Sequence, residues 1–133
     1  MISSFKKAYP NATATGYEVD NEKGKVIYEI ESKDGNIHRD IEFTADGNIV
    51  EIGEFIDVNS LPVSILNSIK AKFNNGNILE AEKKTRGLEI SYDVVVNYIG
   101  KKKEVLLNSS GNIMKEDDDN GENEDGEDGE DKD

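Results

Sequence analysis

The chain reads as one pattern written twice, and the interval between the copies, sixty-four residues, limits what it can fold into. Tyr28-Glu29-Ile30 and Tyr92-Asp93-Val94 stand at that spacing, as do Gly47-Asn48-Ile49 and Gly111-Asn112-Ile113. With the same shift Ile2 falls on Leu66, Phe5 on Ile69, Tyr9 on Phe73, Ile41 on Val105 and Phe43 on Leu107, without a gap. Residue class is kept at positions that would face a core while identity is not, which is what shared packing requires and chance seldom supplies. The competing reading is two unrelated segments that share common strand chemistry.

Each copy opens on a helical pattern. In the second, Ser60 suits a cap, Pro62 the first turn, and Ile65, Leu66, Ile69 and Phe73 lie on one face at three- and four-residue spacing before Asn74-Asn75-Gly76 ends it. In the first, Ile2, Phe5 and Tyr9 form the same stripe and Pro10 forbids continuation. Strands follow. Val26, Tyr28 and Ile30 alternate with Ile27, Glu29 and Glu31, Asp34-Gly35 signals a hairpin, Ile41 and Phe43 share a face, and Asp46-Gly47 turns the chain again. In the second copy Ile90, Tyr92, Val94 and Val96, then Val105 and Leu107, are expected to point inward, with Ser110-Gly111 as the turn. Earlier strands are expected over residues 13–19 and 79–84.

The expected fold is therefore α+β: two tandem helix-plus-antiparallel-strand repeats forming one curved sheet backed by helices, with a disordered acidic C-terminal tail. Residues 1–56 make the first α-β repeat, 57–64 the link and the start of the second helix, 65–115 the second repeat, and 116–133 the tail. That tail has no aliphatic or aromatic side chain with which to offset the entropy of ordering. It also holds −11 of the net charge of −13, which leaves residues 1–115 at only −2. A near-neutral body with an acidic tail argues against nucleic acid as a partner. There is no cysteine, so disulfides, thiol catalysis and cysteine-based zinc sites are excluded. No apolar run reaches transmembrane length, and Met1 is followed at once by the amphipathic pattern rather than by a signal sequence.

The run Phe5-Lys6-Lys7-Ala8-Tyr9-Pro10-Asn11-Ala12, with Tyr28-Glu29-Ile30, Phe43-Thr44-Ala45-Asp46-Gly47 and Leu61-Pro62, resembles the PepSY-like proteins of exported bacterial origin, which are similar in fold to the β-lactamase-inhibitor protein. The resemblance spans residues 1 to about 115, and it departs from the family in having no tryptophan near Tyr17. It implies an α+β body, a periplasmic or extracellular location with a signal peptide upstream of this chain, and binding or inhibitory activity. The matched residues serve folding, so no catalytic residue is carried over.

The residues themselves point away from an enzyme. His38 is the sole histidine and reads as a solvated turn residue, and no serine stands in an activating motif. Glu116, Asp118, Asn120, Gly121 and Glu127 occupy positions one, three, five, six and twelve of a calcium-loop pattern, but Asn123 replaces the apolar anchor and no helix pattern follows. Calcium is thus the only cofactor to consider, and none is expected. Lys101, Lys102 and Lys103 form the one basic cluster: a soluble turn, or a place for the acidic tail to fold back. At outward strand positions the first copy carries Glu31 and Glu42 where the second carries Val95 and Leu106. Val95 and Leu106 either mark a partner patch on the open sheet face or lie beneath a loop or the other copy. The function expected is a non-catalytic exported module, monomeric or weakly dimeric, binding an unknown protein or peptide. The alternatives are a calcium-responsive protein using the tail and a purely structural domain.

Overall fold

The computed structural model describes residues 2–118, apart from the side chain of residue 22. Sheet dominates it. The strands are β1 (Thr13–Glu22), β2 (Lys25–Asp34), β3 (Ile37–Thr44), β4 (Ile49–Ile56), β5 (Asn77–Arg86), β6 (Glu89–Tyr98), β7 (Lys101–Asn108) and β8 (Ile113–Asp118). They follow one another in sequence order as neighbours of a single open antiparallel sheet. Among the described residues, helix is confined to α1 (Ile2–Ala8) and α2 (Val63–Lys72), with a single 3-10 turn at Val58–Ser60.

This corrects the α+β expectation of two helix-plus-strand repeats backed by helices. The physical reason lies in the helices' length and yield. Pro10 stops α1 after seven residues, Ile2 stays 46% exposed, and Phe5 is the one side chain that α1 buries. Ten residues of α2 bury Ile65 and Ile69. Such segments plug a core that strands build; they do not form a layer over it. The expected start of the disordered tail at residue 116 is corrected too, because Glu116, Asp117 and Asp118 are strand residues paired with Val105, Glu104 and Lys103 of β7. The rest of the expected tail lies outside the described residues.

The chain divides into two compact units, Met1–Ile56 with Glu82–Ser91, and Asp57–Ala81 with Tyr92–Asp133. In the first, Phe5, Ile30, Ile41 and Phe43 form a buried cluster against which Tyr9, Ala14, Tyr28 and Ile52 pack. Register fixes this face: Tyr28 stands opposite Phe43 and Ile30 opposite Ile41, so the two-residue period delivers all four to the same side. Arg39 continues the face beyond Ile41. Its guanidinium lies 4.6 Å from the centre of the Tyr9 ring and pairs with Glu54 at 3.2 Å and Asp34 at 3.5 Å. Val26, in phase with Tyr28 and Ile30, is 40% exposed, whereas Ile27 is buried on the opposite side of β2.

The second unit buries Leu61, Ile65, Ile69 and Phe73 together with Tyr92, Val94, Val96, Val105 and Leu107; Ile90, expected inward, is exposed and belongs to the first unit. Its β7–β8 turn is held by Asn108, whose Oδ1 accepts from the amides of Ser110 and Asn112. Gly111 takes φ +92° there, and a Cβ at that position would meet the Ser64 carbonyl oxygen at 2.7 Å, so only glycine fits beneath α2.

Candidate functional site

The same parity that sends Tyr28 and Ile30 into the first core sends Glu29 and Glu31 to the other side of β2. Register then assembles a row from three successive hairpins: Glu18 of β1 stands opposite Glu29, Glu29 opposite Glu42 of β3, and Glu42 opposite Glu51 of β4. A second rung sets Glu31 against Asp40, and Asp20 lies two residues along from Glu18. Four glutamates therefore cross four strands in line. Arg86 of β5 closes one end, its Nε 3.2 Å from Glu51 Oε1 and its Nη2 3.9 Å from Glu42 Oε1.

Like charges directly opposite one another weaken a sheet, and Arg86 offsets part of that cost at the Glu51 end of the row. Its electrostatics show the strain. The Glu29 carboxyl is pushed up to about 7, first by burial and then by Asp40, Glu18, Glu42 and Glu31 around it. Asp40 is also raised, by burial and then by Glu31 and Glu18, against the pull of Lys84 and His38. Carboxylate oxygens of Glu18, Asp20 and Glu29 lie within 4.8 Å of one another, and so do those of Glu29, Glu31 and Asp40. These oxygens are hard donors able to meet ammonium and guanidinium groups or a divalent cation. Sequence reasoning missed the row, having weighed Glu31 and Glu42 only as a foil for Val95 and Leu106. The available signal was parity: Glu18, Glu29, Glu42 and Glu51 all fall on the non-core side once the hairpins are placed.

The residues singled out from sequence are scattered. Val95 and Leu106 are half-buried in β6 and β7, and Leu106 faces Lys115. Lys101 and Lys102 are exposed at the start of β7, and Lys103 pairs with Asp118 at 2.7 Å. That hydrogen bond raises the Lys103 ammonium and lowers the Asp118 carboxyl. Of the calcium-loop residues, Glu116 pairs with Lys72 at 3.1 Å and Asp118 with Lys103, both from an extended strand, while Asn120 and Glu127 lie outside the described residues. His38 is an exposed strand residue opposite Lys33. No described helix is long and apolar enough to cross a membrane.

No family model matches the chain, PepSY included, and no curated protein does. Solved structures do match. A BLIP-like protein from Bacteroides fragilis is 25% identical with a TM-score of 0.68, covering 88% of this chain and 82% of its own. A DUF2874 family protein from Bacteroides uniformis gives a TM-score of 0.73 at 16% identity over 89% and 86%. A protein from Bacteroides eggerthii, provisionally assigned to the periplasm, gives 0.73 at 18% identity over 88% and 85%. The chain thus has a BLIP-like fold.

Proposed function

We propose that the chain is a non-catalytic, exported binding module, inhibitor-like in fold, that receives a basic protein or peptide on the acidic sheet face of its first unit. The row Glu18-Glu29-Glu42-Glu51 carries this reading. Carboxylates set opposite one another cost folding free energy, and a cationic partner converts that repulsion into attraction and faster encounter. The BLIP-like fold and the neighbour assigned to the periplasm support protein binding outside the cytoplasm. The competing residues, Val95 and Leu106 with Lys101, Lys102 and Lys103, offer less, because the two apolar side chains are already half-buried and Lys101 and Lys103 fall on the opposite side of β7 from Leu106.

The test is calorimetry of the full chain with octalysine at two salt concentrations. The variant Glu29→Gln, Glu42→Gln, Glu51→Gln leaves the acidic C-terminal segment intact and is expected to weaken binding about tenfold at low salt, with little difference at 1 M. Equal affinity of variant and parent would defeat the proposal. Retention of binding by the parent only when calcium is added would transfer the face to a cation.

A further inference from the structure

The first unit presents an edge as well as a face. β1 is the first strand of the sheet and pairs with β2 alone among the described residues, so one side of its backbone has no strand partner. Protein edges are blunted by shortness, proline, bulges or charged side chains, lysine above all. β1 has ten residues and lacks proline and lysine within Thr13–Glu22, while its acids Glu18 and Asp20 repel other acidic edges and admit a basic one. A bulge interrupts it only between Ala14 and Gly16, after which the register with β2 is continuous. Its side chains alternate by chemistry: Tyr17 and Val19, 58% and 65% exposed, extend the side that carries Ile30 and Tyr28, whereas Glu18 and Asp20 extend the acidic side.

We infer that β1 is a docking edge for an extended peptide in which basic and apolar residues alternate, added as a further strand. The inference deepens the proposed function, naming the mode and the sequence pattern of the partner. Backbone pairing supplies affinity in such an addition, and the alternating side chains choose the ligand. Lysine or arginine at every second position meets Glu18 and Asp20, and the intervening aliphatic residues cover Tyr17 and Val19. A second copy of the chain fits poorly. Two β1 edges would bring Glu18 and Asp20 against their own counterparts, and the other edge strand, β8, carries Glu116, Asp117 and Asp118 against a single Lys115.

The experiment uses the full chain and an N-acetylated, C-amidated octapeptide of alternating lysine and valine. The same peptide N-methylated at every interior amide keeps charge and side chains but cannot donate to either neighbour. Binding of the first peptide is expected to exceed that of the second by about tenfold or more. Alternate amides between Gly16 and Asn21, those pointing away from β2, should gain protection from hydrogen exchange. Glu18→Lys with Asp20→Lys, both exposed, should abolish binding and transfer it to the glutamate-valine peptide. Equal binding of the two lysine peptides, with no protection in β1, would overturn the edge and leave the face reading standing. Edge protection that survives Glu29→Gln, Glu42→Gln, Glu51→Gln at unchanged affinity would uphold the edge and remove the face.

Discussion

In the first unit, β2 and β3 turn Glu29, Glu31, Asp40 and Glu42 away from the core; at the same steps of β6 and β7 the second unit carries Asp93, Val95, Glu104 and Leu106. The inward sides of these strands agree. Ile30, Ile41 and Phe43 are fully buried, as are Val94, Val105 and Leu107. The turn after each pair also agrees, with Gly47 donating to the Thr44 carbonyl and Gly111 to that of Asn108, and a bulge precedes Phe43 as one precedes Leu107. Packing constrains the inside of both units alike, so the divergence outside records some other demand. One outer face concentrates negative charge at a cost to folding, and the other mixes acids with half-buried aliphatics.

The largest test of that comparison is on the inside. Phe43→Ala should cost about 3–5 kcal/mol and Leu107→Ala about 2–5 kcal/mol in denaturant unfolding, because each empties a fully buried site. A small loss at either position would break the equality of the cores. Next comes Arg39, whose counterpart by position, Lys103, pairs with Asp118. Arg39→Ala removes two ion pairs and the Tyr9 contact at a side chain only 14% exposed, and should cost about 1–3 kcal/mol.

Glu29→Gln acts in the opposite direction. With its carboxyl raised from 4.5 to about 7 in the fold, Glu29 binds its proton more tightly folded than unfolded. Its contribution is fully present below the unfolded value and is lost as pH rises through about 7, so the parent should lose stability between those limits. The glutamine variant should flatten this profile and gain about 1 kcal/mol at pH 8, since it relieves the repulsion from Glu18 and Glu42. An unchanged thermal profile would mean that the row carries no strain. The smallest effect is Arg86→Ala, expected to cost about 0.5 kcal/mol at low salt and nothing at 1 M, because the guanidinium that closes the row is 57% exposed.

Local signals were legible in the sequence where they act within one turn. Pro10 ended α1, Ser110-Gly111 marked the β7–β8 turn, and the alternation around Tyr28 and Tyr92 placed their strands. What periodicity could not deliver was proportion. The stripe Ile2-Phe5-Tyr9 is compatible with a full helical layer, and only tertiary context shows it reduced to one buried phenylalanine and a half-buried tyrosine. Composition concealed β8 in the same way, since Lys115-Glu116-Asp117-Asp118 has no strand propensity and is ordered by pairing with β7. The acidic row was hidden for a third reason: its members lie 9 to 13 residues apart in sequence, and only the registers of three hairpins bring them into line.

The most direct measurement is chemical-shift mapping of octalysine on the full chain, following side-chain carboxylates and methyl groups together. An acidic binding face requires the carboxylates of Glu18, Glu29, Glu42 and Glu51 to shift in a saturable way, with Val95 and Leu106 unmoved. Shifts at the Val95 and Leu106 methyl groups, with the four glutamates silent, would contradict it.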